Sequence, residues 1–332
     1  MLKRRSRAEW IPAMASVMLL AAGCTSSGGT ASGHLEQTTV VVDAFAAIDT
    51  AGLFIAQQDG LFAAQGLTVK LNVETLVQPQ IDDLLTGKAD ISSGDYVTYI
   101  ENDTGGDPDR HNQNPDLRII AESSFLQPNV LALVAPAQSR IGSITGLKGK
   151  SISVLAPRNI SDLLVDSLLV GHGIPVADEH YPLVAFPDIG PAFQERKMDA
   201  AFAPEPFVTS LEETYGVQEL ADLDQGSTTD FPIQGMVTTA SWAQRNPNTL
   251  AAFLRAYNEG QVIATTERAK VEQVLETFLH LPGSVAAVVA LPAFPRGVDP
   301  VRLQRVVSAM LRFGILGPQF ENYNVRSIIY QG

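Results

Sequence analysis

The sequence predicts an α/β protein of two similar lobes, each a mostly parallel sheet flanked by helices, joined by a hinge of two strand crossings. Three observations carry this reading. Strand-like and helix-like apolar periods alternate from residue 38 onward. One order (strand, helix, glycine stop, strand, helix, strand) occurs twice, with Gly66 to Asp90 in the first copy matching Gly173 to Asp199 in the second. Further strands lie between the copies and after the second, as if the chain left one lobe and came back.

Each element follows from its residues. Thr38 to Val42 is a β-branched run and reads as a buried strand. Ala51 to Ala64 carries Leu53, Phe54, Ala56 and Leu61 at helical spacing, and Gly66 stops it. Thr68 to Val73 alternates as a strand, Ile81 to Leu85 is a short helix, and Ala89 to Ile91 opens the next strand. In the second copy Ser151 to Leu155, Tyr181 to Phe186 and Asp199 to Phe202 read as strands, with Ser161 to Val170 and Ile189 to Glu195 as helices. Leu117 to Glu122 and Val130 to Ala135 lead out of the first lobe, and Gly235 to Ala240 leads back. Leu250, Phe253, Leu254 and Tyr257, then Leu303, Val306, Val307, Met310 and Leu311, mark two amphipathic helices. Val285 to Leu291 reads as a buried helix. Lobe one is expected at 37–134 and 236–332, and lobe two at 135–235. Open sheets bind ligands beyond the carboxyl ends of their strands, so the site is expected where the two sets of strand ends face each other.

The first residues are not part of that fold. Lys3, Arg4, Arg5 and Arg7 precede an uncharged apolar run from Trp10 to Ala22, too short to span a bilayer. Residues 1–23 therefore read as an export signal, and 24–36, rich in Ser, Gly, Thr and Ala, as a flexible tether. Removing the four basic residues and Glu9 takes the net charge from −13 to −16. Such a charge argues against nucleic acid as a partner. Cys24 is the only cysteine, so an intrachain disulfide and a cysteine metal site are excluded. The five histidines show no metal-ligand spacing, and no Walker or dinucleotide glycine pattern occurs. No cofactor or metal is expected, and the chain reads as a binder, not an enzyme.

Leu20-Ala21-Ala22-Gly23-Cys24 resembles the lipobox of bacterial lipoproteins, which implies lipidation of Cys24 and an extracytoplasmic, membrane-anchored protein. Four further segments resemble one family. They are Gly52 to Phe62 with Gln65 to Val69 after it, Leu147-Lys148-Gly149-Lys150, Met198-Asp199-Ala200-Ala201, and Glu205-Pro206. Together they resemble the solute-binding proteins of ABC importers for nitrate, sulfonates, taurine and thiamine-precursor pyrimidines. That resemblance implies a type II-like periplasmic-binding-protein fold, lobe closure on a small solute, ABC permease subunits as partners and a monomeric carrier. Of the pyrimidine branch's signature this chain keeps Asp43, Gly52 and Leu53 at family spacing, but Ala44, Ala46, Ala47 and Thr50 replace the other signature residues. The alternatives are a sensory lipoprotein of the same fold and an enzyme related to thiamine-pyrimidine synthase.

The candidate ligand residues sit at expected strand ends. In lobe one they are Asp43 and Phe45, Asp49 and Thr50 on the following turn, Asp95 and Tyr96 after the third strand, and Ser124 and Gln127 after the fourth. Lobe two contributes Arg158, Asn159 and Ser161 before a helix, and Glu205 between two prolines. Arg158 suits a sulfonate, carboxylate or phosphate, whereas Glu205 suits an amine. A zwitterion or an amino-substituted heterocycle would satisfy both. Phe186, Phe207 and Phe231 are read as core.

Overall fold

The computed structural model describes residues 34–74, 77–105, 116–176 and 181–332. The export signal, Cys24 and the tether up to residue 33 lie outside the described residues. The last tether residues belong to the fold. Glu36 accepts hydrogen bonds from Thr249 N (2.9 Å) and Asn248 Nδ2 (2.7 Å), filling the N-terminal donors of a helix 212 residues away.

In chain order the elements are β1 (Thr39–Phe45), α1 (Ala51–Gln58), α2 (Leu61–Ala64), β2 (Thr68–Glu74), α3 (Val77–Thr86), β3 (Ile91–Asp95), α4 (Tyr96–Thr104), β4 (Leu117–Phe125) and β5 (Leu131–Pro136). Then come β6 (Ile152–Ser153), α5 (Ile160–Gly171), α6 (Ile189–Gln194), β7 (Ala200–Pro204), α7 (Phe207–Tyr215), β8 (Val217–Asp222) and β9 (Pro232–Thr239). The chain finishes with α8 (Ala240–Arg245), α9 (Pro247–Thr266), α10 (Arg268–Phe278), α11 (Gly283–Ala286) and α12 (Pro300–Arg312).

Two sheets form, ordered β2-β1-β3-β9-β4 and β6-β7-β5-β8. In the first, β9 pairs antiparallel with both neighbours, so β1 to β4 share one direction and β9 alone opposes them. In the second, β5 is the one reversed strand. Both sheets are therefore mixed in pairing although most strands run one way. The reversed strands are the crossing strands, because each reaches its sheet from the opposite lobe. The crossings lie at 126–130 and 223–231, since β5 belongs wholly to the second sheet and β9 wholly to the first. That is a few residues before the expected lobe boundaries.

Three local expectations change. Tyr181 to Phe186 is not a strand. Only a Val154–Leu183 bridge forms, because Pro182 and Pro187 remove ladder donors on either side. The helix expected over Ala51 to Ala64 is split at Gly60, whose φ of 72° starts a new turn. Val285 to Leu291 yields one helical turn, with Val285, Ala286 and Val289 buried and Val288 63% exposed.

Packing explains the family-like glycine in α1. A Cβ on Gly260 would sit 2.1 Å from the Gly52 carbonyl oxygen, so α1 and α9 meet backbone to backbone. Beside this crossing Gln261 Nε2 donates to Ser123 O (2.9 Å) and Pro295 O (3.0 Å), stitching α9 to β4. Phe54 stacks on Phe278 at 4.6 Å in the same core. A second core runs through the crossings, joining Tyr96, Leu126, Leu131, Leu164 and Val306. The apolar face of α12 (Leu303, Val306, Val307, Met310) is buried in it, as its period predicts. No helix among the described residues is long and apolar enough to cross a membrane.

Candidate functional site

The carboxyl ends of β1, β3 and β7 converge on a partly open cavity. Lobe one supplies Phe45, Ala46, Ala47, Asp49, Asp95, Ile233 and Gln234. Lobe two supplies Leu131, Leu155, Asn159, Ile160, Glu205 and the rings of Phe186, Phe202 and Phe207. The cavity lies at the seam of the two lobes, where the site was expected.

Five of the twelve candidate residues line it: Phe45, Asp49, Asp95, Asn159 and Glu205. Asp95 ends β3 and caps α4, accepting from Thr98 N (3.0 Å) and Thr98 Oγ1 (2.8 Å). Across the cleft Asn159 Nδ2 donates to Asp95 Oδ2 at 2.8 Å. Asn159 is itself the cap of α5, in a capping box with Asp162. Two helix N-termini, one from each lobe, thus share one carboxylate. Burial pushes the Asp95 carboxyl up, against the hydrogen bonds from Thr98.

Asp49 lies on the turn before α1 and is buried, accepting from Ser124 Oγ at 2.5 Å. Burial pushes its carboxyl up to about 6, and the Ser124 hydrogen bond opposes this only partly. Glu205 accepts from Thr209 N (3.1 Å) and Thr209 Oγ1 (2.7 Å) on α7, and from Ala290 N (3.3 Å) on the lobe-one side. Burial raises this carboxyl too.

The other seven candidates stand behind the wall or away from it. Asp43 pairs with Asn72 on β2 at 2.9 Å, inside the sheet. Thr50 donates to Phe45 O (2.5 Å) and Ala47 O (2.8 Å) and holds the turn. Tyr96 is fully buried against Gly235, where a Cβ would meet its ring at 2.5 Å. Ser124 touches the site only through Asp49. Gln127 donates to Asp230 Oδ1 (3.1 Å) and links the two crossings. Ser161 Oγ accepts from Leu155 N at 3.1 Å and supports the loop.

Arg158 is the sharpest departure. Its backbone takes a φ of 55°, and its guanidinium turns out of the cavity to pair with Glu101 and to donate to Ile315 O at 2.6 Å. The anion-binding role expected of it is not supported by this placement. Its backbone N–H is also occupied, donating to Asp162 Oδ2 at 2.6 Å. Instead it clamps lobe two to α4 and the segment after α12.

Phe186 and Phe207, read as core, are cavity walls, with ring centroids 5.3 Å apart. Phe231 is core as expected. Gln234 was missed because β9 runs against its sheet, so its amino end, not its carboxyl end, reaches the site. Only the reversed direction would have revealed it. Among the described residues no Lys, Arg or His lines the cavity, and no cluster could hold a metal ion.

Known proteins with this fold include the periplasmic aliphatic sulphonate-binding protein SsuA from Escherichia coli. It shows 16% identity and a TM-score of 0.70 over 89% of this chain and 92% of that one. The periplasmic nitrate-binding protein NrtA from Synechocystis PCC 6803 shows 16% identity and a TM-score of 0.75 over 90% and 87%. A Candida albicans protein described as having the generic periplasmic binding protein structural fold shows 14% identity and a TM-score of 0.72 over 89% and 97%. These likenesses establish the periplasmic-binding-protein fold. No curated protein matches the sequence. A family profile covers residues 33–277, well over half of the chain and nearly every wall of the cavity, and by that match the protein belongs to the NMT1-like family.

Proposed function

We propose that the protein is the extracytoplasmic solute-binding component of an ABC importer, a carrier without chemistry of its own. One observation supports this most: a cavity with walls drawn from both lobes, at facing strand ends. A solute held there stabilises the closed state only through contacts to both lobes at once. Asp95 with Asn159, and Glu205 with Ala290, already bridge the lobes and set the closed register. The closed carrier would then present its solute to the membrane subunits, as a monomer needing neither metal nor cofactor. Similar solved proteins are named for sulphonate and nitrate binding, which favours a small organic or inorganic solute as cargo.

The test is thermal unfolding of the purified protein with sulfonates, taurine, nitrate, pyrimidines, small amines and a boiled cell extract. A solute at a hundredfold excess over Kd is expected to add about 2.7 kcal/mol and raise the melting temperature. No rise with any member or with the extract would overturn the proposal.

The membrane link rests on the lipobox-like segment ending at Cys24. Expressed in bacteria, the full chain is expected in the membrane fraction. Cys24→Ser is expected to release it from that fraction or leave its first residues uncleaved. A Cys24→Ser protein that is processed and membrane-bound like the original would refute the anchor.

A further inference from the structure

We propose that the cavity selects a small protonated amine with an apolar or aromatic body, and rejects sulfonates and nitrate. This rests on the binding-protein reading above and gives its cargo a chemical class.

Asp49 and Gln234 both line the cavity and both carry hydrogen-bond acceptors. Gln234 is 96% buried, given its 4% exposure, lines the cavity, and its Oε1 has no hydrogen-bond partner. In the sheet register Gln234 sits opposite Asp95 on β3 and opposite Ser124 on β4. Opposed residues of antiparallel strands project to the same face about 5 Å apart. Ser124 in turn donates to Asp49 at 2.5 Å. The row Asp95, Gln234, Ser124 and Asp49 is therefore contiguous. Within it Asp95 is filled by Thr98 and Asn159. Among the described residues Asp49 accepts from Ser124 Oγ and from its own backbone N–H, and Gln234 Oε1 receives no hydrogen bond. A buried acceptor left unpaired costs stability. An ammonium group at the cavity would bring donors to this row.

The rest of the lining agrees. Three carboxylates face the cavity, and among the described residues no cationic side chain does. The N-termini of α4 and α5, which could greet an anion, are already taken. Asp95 occupies that of α4 and also accepts from the backbone of Ile160, in the first turn of α5. A sulfonate placed here would meet charge of its own sign. Phe45, Phe186, Phe202 and Phe207 supply apolar surface for a hydrocarbon body and ring faces that attract a cation.

The experiment compares charge-reversed probes on one ring: benzylamine against benzenesulfonate, with nitrate added, by calorimetry and thermal unfolding at pH 7.5. Benzylamine is expected to bind, and benzenesulfonate and nitrate not to bind. Asp49→Asn and Gln234→Leu are each expected to weaken benzylamine at least tenfold while the unliganded variants still unfold cooperatively. Binding of benzenesulfonate or nitrate would overturn the amine assignment and leave the carrier reading intact. Benzylamine binding unchanged in both variants would place it elsewhere and overturn the assignment as well. So would no binding of benzylamine, and if the wider solute panel were also silent the carrier reading would fall with it.

Discussion

Arg302→Met is expected to destabilise the protein by about 3–5 kcal/mol, because it strands a carboxylate in the core. Glu122 lies on β4, just before the first crossing, and its side chain is 0% exposed. Arg302 on α12 meets it with two hydrogen bonds, Nε to Oε1 at 2.7 Å and Nη2 to Oε2 at 3.1 Å. Asp299 N adds a third donor at 3.3 Å, and the guanidinium lies 4.2 Å over the Phe125 ring. Burial pushes the Glu122 carboxyl up while Arg302 pulls it down, so the pair is held together against a large desolvation cost. Removing the cation leaves that cost unopposed. Removing both charges does not: Glu122→Leu with Arg302→Met is expected to recover most of the loss. Chemical denaturation of the single and double variants measures this. A single variant within about 1 kcal/mol of the original would show that the pair is a surface-like ion pair of ordinary value.

The second large effect concerns the cavity. Asp49→Asn is expected to stabilise the unliganded protein at pH 8 by up to about 3 kcal/mol, the difference between an ordinary carboxyl of 3.8 and one pushed up to about 6. The sign follows from the direction of the shift. Above pH 6 the folded protein holds Asp49 ionised in a buried place, and the unfolded chain does not bear that cost. As pH falls from 6 toward 3.8 the folded state takes up the proton first, so the penalty fades and disappears below both values. The asparagine keeps an acceptor for Ser124 Oγ and has no charge to desolvate. Asp43, Asp95 and Glu205 are raised by burial too, but they are common to both proteins and drop out of the difference. Denaturation of the two proteins at pH 8 and pH 4 checks it. A gap that is equal at both pH values, or larger at pH 4, would contradict the buried-charge account. Retaining a carboxylate that costs stability when empty is what a binding site requires if the ligand brings the opposite charge.

The sequence by itself determined the lobes, most of the strands and the amphipathic helices, because those depend on local periods. Leu303 to Met310 could bury only one face, and Thr38 to Val42 could hardly be other than a buried strand. It also pointed to the cavity, since strand ends in two facing open sheets leave one seam. Asp95 and Asn159 were legible because cap residues at strand-to-helix turns face that seam by construction. Tertiary structure alone decided which of the other polar residues reach the ligand space. The left-handed backbone at Arg158 sends its guanidinium to Glu101, a partner 57 residues away that no local pattern reveals. Gln234 enters the cavity only because β9 arrives from the second lobe and runs against its neighbours. Phe207 became a wall because it follows the end of β7, and Phe186 because it packs against Phe202 and Phe207, although their composition reads as core. The division has one physical reason: backbone conformation is set within a few residues, whereas a side chain's surroundings are set by register and packing between segments far apart in the chain.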